Sequence, residues 1–148
     1  MEIDMSNNLF LCPGYYEEDP CDANGIPLPL NEPDTSLHFT KNAARMYENG
    51  AQLICLDQLP ANCRPATQAV GSIMHFRKIT SPDGKDYIPL FLHYQALTGL
   101  FGNCIHIGAV SFADVRHLCL ADASIAGIVI APGTFNQIIP REKLMTAD

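Results

Sequence analysis

The amino-acid sequence predicts an α/β fold, with α+β character on its N-terminal side, built on a mixed sheet of five to six strands in which an antiparallel hairpin precedes a β-α-β-α-β run. Three observations carry this expectation. Thr80-Ser-Pro-Asp-Gly-Lys-Asp86 joins two strand-like runs through a preset φ at Pro82, a side-chain turn acceptor at Asp83 and a position tolerant of positive φ at Gly84. Beyond this hairpin, short apolar runs alternate with helix-compatible segments. The 148 residues suffice for one core that buries roughly two-thirds of the surface an unfolded chain exposes.

Residues 1–34 read as an acidic, proline-rich arm, and residues 35–148 as the α/β domain. Residues 1–40 hold eight acids and no lysine or arginine, so the net charge of −7 leaves the remainder at +1. Five prolines between residues 13 and 34 remove backbone donors and disfavour helix at and before themselves, and this stretch is expected to lack regular structure. Leu9, Phe10, Leu11, Tyr15 and Tyr16 offer apolar anchors, so the arm is expected to dock, on its own domain or on a neighbouring copy.

From Thr35 to Asn49, Leu37, Ala44, Met46 and Tyr47 fit one amphipathic helix that Gly50 terminates. Gln52–Leu59 and Ser72–Thr80 read as strands, with Pro60–Pro65 as the loop between them. Past the hairpin come a strand Tyr87–Phe91, a helix near Tyr94–Phe101 closed by Gly102, a strand Cys104–Val110, a helix Phe112–Ala121 and a strand Gly127–Ile130. Both connections are about a dozen residues long, enough for right-handed crossovers, so these three strands are expected as adjacent, co-directional neighbours. A short strand Gln137–Ile139 and a helical turn from Arg141 follow. Ser111 with Asp114 resembles a capping box, and Phe112, Val115, Leu118 and Cys119 mark the buried stripe of the helix, which leaves His117 near its solvent side.

Composition narrows the function classes. No stretch approaches the about 18 apolar residues of a membrane span. The opening Met-Glu-Ile-Asp-Met-Ser is acidic where a secretory leader is basic, so a cytoplasmic location is expected. A nucleic-acid surface needs a basic patch, and none appears. The six cysteines form no C-x-x-C pair, and three of them sit inside apolar runs, so reduced thiols are expected.

Asp86-Tyr-Ile-Pro-Leu-Phe91, Tyr94-Gln-Ala-Leu97, Val110-Ser-Phe-Ala-Asp-Val115 and Ala126-Gly-Ile-Val-Ile-Ala-Pro132 together resemble the SseB-like family, the enhanced serine sensitivity proteins, in order and in spacing. The resemblance spans residues 73–145, about half of the chain. It implies a bacterial α/β domain of unknown function; no established reaction comes with the family. The sequence departs from the family at Leu92 and His93, where a Thr or Ser and then a small or acidic residue are usual, and at Ala131, where Asn is usual before Pro132.

Several constellations bear on chemistry. Cys104 and His106, two apart on a predicted strand, share a face and could pair as nucleophile and base, but no third group is placed to orient the imidazole. Cys104-x-His106 with His117-x-Cys119 offers the donor number of a zinc site, yet residues 117 and 119 lie about 200° apart on a helix. Asp83 and Asp86 lack the further oxygen ligands of a metal loop. His38, His75 and His93 are isolated. Gly99-x-x-Gly102 follows a helix and lacks the pattern of a phosphate loop.

In open α/β sheets, ligands collect beyond the carboxyl ends of parallel strands, and His93, Ser111, Thr134 and Asn136 are therefore the candidate ligand or partner site. No catalytic residue, metal or cofactor is assigned. The sequence favours a non-catalytic interaction or regulatory domain meeting a protein partner, a second copy of this chain being one candidate. The alternative is a small-molecule-binding domain or small enzyme that uses the strand-end site.

Overall fold

The computed structural model describes residues 7–34, 36–60, 64–66 and 74–146. In chain order its elements are β1 (Asn8–Tyr16), β2 (Ser36–Phe39), α1 (Lys41–Glu48), β3 (Gln52–Leu53), β4 (Arg64–Ala66), β5 (Met74–Phe76), β6 (Ile79–Thr80), β7 (Asp86–Leu90), α2 (Tyr94–Phe101), β8 (His106–Ser111), α3 (Phe112–Ala121), β9 (Ile125–Ile130), β10 (Gln137–Pro140) and α4 (Arg141–Thr146). The fold class is the expected one. The strands form two mixed sheets, one ordered β3-β1-β8-β2-β4 with β5 also on β1, the other β10-β9-β7-β6.

The arm is where structure and expectation part first. Leu9-Phe10-Leu11-Cys12 has no polar face to offer water, and the chain buries it on both sides in β1. One edge of β1 pairs antiparallel with β8 over Leu9–Gly14. Its other edge is divided: β3 takes Asn8 and Leu9, Leu11 exchanges backbone hydrogen bonds with Phe91 of the second sheet, the Arg77 amide donates to the Pro13 carbonyl, and β5 takes Gly14–Tyr16. Pro13 turns its missing donor towards this divided edge, which explains how a proline sits within a central strand. Leu30 then donates to the Cys104 carbonyl, so the acidic segment lies on its own domain.

The expected helix over 35–49 divides as well. Ser36–Phe39 is β2, parallel to β8, and only Lys41–Glu48 is helical. Thr40 makes the boundary, its hydroxyl accepting from the Ala43 amide and donating to Asp114. Gln52–Leu59 holds only the two-residue β3, and the Ser72–Thr80 strand is two short strands, β5 and β6, in different sheets; Ser72 and Ile73 lie outside the described residues. Pro65, placed in a loop by sequence, belongs to β4. Cys63 lies outside the described residues.

The second half follows expectation in its elements and departs in one pairing. The Thr80–Asp86 hairpin forms, with Thr80 opposite Asp86. α2 ends at Gly102 (φ 80°), and Ser111 caps α3 by accepting from the Asp114 amide at 3.0 Å. β7 and β9 are parallel neighbours. β8 is not beside them: β1 and β2 occupy both of its edges, so the strand expected between two others belongs to the opposite sheet.

The core follows from this arrangement. Phe10 and Cys12 from one face of β1 meet Ile88, Leu90, Ile128 and Ile130 of the second sheet and Val115 and Cys119 of α3. Leu11, on the other face, packs with Leu37, Phe91, Leu97 and Ile107. Among the described residues, no helix is long and apolar enough to cross a membrane.

Candidate functional site

The four residues named from sequence hold distinct positions. β7 and β9 end side by side, with Leu90 opposite Ile130, so His93 and the Ala131–Asn136 turn follow neighbouring strands. In that turn Thr134 donates its hydroxyl to the Ala131 carbonyl at 3.0 Å, and Asn136, at φ 52°, donates its amide to the same oxygen at 2.8 Å. Ser111 ends β8 in the other sheet, where it is buried and also accepts from Asn42 at 3.2 Å. Beside it a groove of about 710 Å³, lined by Thr40, Asn42, His75, Phe76, Asp114 and His117 among others, has the volume of a small-molecule site.

His93 stands at the N-cap of α2 but makes no capping bond, and its Nδ1 is buried without a partner among the described residues. The cap comes from elsewhere. Asp57 accepts from the amides of Tyr94 at 2.7 Å and Gln95 at 2.8 Å, and from the Cys55 thiol. Burial pushes the Asp57 carboxyl up, but the Cys55, Gln95 and Tyr94 donors and nearby His93 together hold it below its ordinary value. A carboxyl depressed in the folded state stabilises above its unfolded pKa, and loses that contribution as pH falls through the folded one. Asp57→Ala is therefore expected to cost about 1–2 kcal/mol at neutral pH. Thermal melts should show that difference shrinking as the pH drops below ~4.

The main convergence of titratable groups lies at the opposite, amino end of the parallel pair β2 and β8. His38 projects from β2, His106 opens β8, Tyr16 closes β1, and Asp34 immediately precedes β2 across the single residue 35. Asp34 Oδ2 lies 2.6 Å from His38 Nε2 and 2.6 Å from His106 Nδ1, while its Oδ1 accepts from the Ser36 amide. The second nitrogen of each imidazole also meets an oxygen: Tyr16 Oη lies 2.5 Å from His38 Nδ1, and Asp19 Oδ2 lies 3.3 Å from His106 Nε2. Asp19 is itself fixed by the Tyr16 amide. All four His and Asp side chains are between 14% and 19% exposed, shielded enough to strengthen electrostatics yet open to small solutes.

Burial raises the Asp34 carboxyl, and the donors from Ser36, His106 and His38 outweigh it, so the group sits below the usual carboxylate range. Burial, then Asp34 and Asp19, raise the Tyr16 hydroxyl, which stays protonated. The three ligand atoms of Asp34, His38 and His106 lie within 4.8 Å of one another, a donor set of two imidazoles and a carboxylate. A tetrahedral ion at about 2.0–2.1 Å from each donor would hold them roughly 3.3 Å apart, so the 2.6 Å contacts need to open by less than ~1 Å.

Sequence reasoning missed this site because its members come from three segments, two of which were not read as strands. By sequence His38 is isolated, and His106 pairs with Cys104, alone or in the zinc quartet; the Cys104 thiol instead faces Asn103. The zinc quartet of Cys104, His106, His117 and Cys119 does not assemble: His117 is exposed on α3 and Cys119 is buried. Burial pushes the thiols of Cys12, Cys55 and Cys119 up, Cys55 to about 11, which disfavours the reactive thiolate. Comparison of the chain with protein-family models, with curated proteins and with solved structures finds no match.

Proposed function

We propose that this protein is a non-catalytic regulatory domain of the SseB-like kind, controlled by a divalent transition-metal ion at Asp34, His38 and His106. One observation carries the reading: three ligand atoms converge while the far nitrogen of each imidazole already faces an oxygen, the outer-shell arrangement that orients histidine ligands. With an ion on His38 Nε2 and His106 Nδ1, the remaining ring protons donate to Tyr16 Oη and Asp19. Imidazole and carboxylate donors suit zinc among the first-row ions. Asp19 and Asp34 both belong to the acidic segment after β1, so an ion there would tie that segment to β2 and β8, and a protein partner reading the acidic surface would meet a different surface with and without it.

The SseB-like reading rests on the four sequence segments and on the succession of elements from β6 to α4, and the placement of β8 in the other sheet counts against it.

Titration calorimetry and elemental analysis test the proposal. Wild type is expected to take up one zinc ion per chain, with Asp34→Asn and His38→Ala each weakening binding by about 100-fold or more and His117→Ala leaving it unchanged. Equal affinity in wild type and Asp34→Asn, or no retained zinc after dialysis, overturns it. The alternative, a small-molecule site at the carboxyl ends of parallel strands, is supported by the groove beside Ser111, and it becomes the leading reading in that event.

A further inference from the structure

We infer that Arg77 anchors a second, independent site for the carboxylate of a compact ligand with an apolar body. Arg77 follows β5 and is held in place by its own amide, which donates to the Pro13 carbonyl at 2.9 Å. Its guanidinium is half-buried, yet no described residue hydrogen-bonds it or pairs with it, and its Nε is buried without a partner.

A buried N–H left without an acceptor is costly, and proteins ordinarily supply a carboxylate or carbonyl to meet it. Asp19 is the acid within electrostatic reach, but its carboxylate is committed to the Tyr16 amide and to His106. Tyr15 and Cys21 are the other titratable neighbours, and neither bonds the guanidinium. Among the described residues nothing accepts from its Nε, which leaves that donor for a ligand.

What surrounds it sets the ligand's shape. Arg77 lines a cleft of about 280 Å³ together with Pro27, Pro29, Phe101, Asn103, Cys104 and Ile105. This volume is at the small end for ligand pockets. A mostly apolar lining with one planar cation and Asn103 favours a compact molecule whose carboxylate takes the fork in two parallel hydrogen bonds while its body lies against proline and phenylalanine.

Benzoate is a suitable probe, with acetate, inorganic phosphate and benzyl alcohol as arms that separate charge, anion geometry and apolar body. In amide NMR titrations of the full chain, benzoate is expected to give saturable shifts at Gly102–Ile105. Arg77→Gln should weaken it by at least about tenfold, which corresponds to roughly 1.4 kcal/mol. Arg77→Lys, which keeps the charge but not the fork, should lie between, and its spectrum and melting point report whether the fold survives. Acetate should bind more weakly than benzoate. Phosphate competing as strongly as benzoate, benzyl alcohol binding equally well, or Arg77→Gln within about twofold of wild type each overturns the inference. None of these outcomes bears on zinc binding at Asp34.

Discussion

Phe10→Ala is expected to destabilise the protein by about 3–5 kcal/mol, read from the midpoint of urea unfolding. The side chain has no exposed surface and lies in the cluster that joins β1 to the second sheet, against Ile88, Leu90, Val110 and Ile130. Truncation removes the transfer free energy of the ring and leaves a cavity that two sheets and α3 cannot close, because each is fixed by its own hydrogen bonds. The value also separates two descriptions of the N-terminal segment. An appendage on a self-sufficient body would tolerate the change within about 1 kcal/mol, as surface positions do. A central strand would not. Phe10 is far in type from the polar centre at Tyr16, so the same variant, if folded, should retain zinc affinity, and loss of both properties together would mean that β1 registers the metal site through the core.

Gly127→Ala is expected to cost about 3 kcal/mol and to act on one edge of the second sheet. A Cβ at this position would stand 2.3 Å from the Ile139 carbonyl oxygen and 3.1 Å from the Pro140 Cα, both backbone atoms of β10, so no side-chain rotation relieves the contact. The register pairs Gly127 with Pro140, and relief requires β10 to move away from β9. Overpacking of this kind typically costs 1–3 kcal/mol, and a backbone obstacle places it at the upper end. Hydrogen exchange should show the loss confined to β10 and α4, with Leu144 leaving the core, while amides of the first sheet stay protected. An alanine variant with wild-type melting temperature and β10 protection would remove this account of the glycine.

The two changes mark how unevenly the fold could be read. From Thr80 onward, local chemistry and the elements that form agree, the pairing of β8 excepted. Pro82, Asp83 and Gly84 set a turn, Ser111 caps α3 as its spacing with Asp114 suggests, and Phe112, Val115, Leu118 and Cys119 face the core while His117 is exposed. Each signal is carried by residues within a few positions of one another. Before Thr80 the local signals misled. Pro13 argued against a strand, but a strand edge shared by β3, Phe91, Arg77 and β5 has no donor requirement at that point. Leu37, Ala44 and Met46 suited one helix, but Ser36–Phe39 gains more from pairing with β8 than from continuing α1.

The candidate site suffered more, for a related reason. His93, Ser111, Thr134 and Asn136 were legible because strand ends and caps have local signatures, and the structure gives each a definite hydrogen-bonding or capping position except His93, whose cap is made by Asp57 from a distant loop. No local signature links Asp34 to His106, 72 positions away. Nor does any connect Tyr16 to His38.

By itself the sequence determined the class of the fold, the hairpin, and the helices and strands from Thr80 to Arg141, because turns, caps and periodicity act over a handful of bonds. Only the tertiary structure decided that β8 lies between β1 and β2 rather than beside β7, and that two histidines, two aspartates and a tyrosine meet where it begins. Strand partners are chosen by which edges remain open once the chain has closed on itself, and that competition is not written in any one segment.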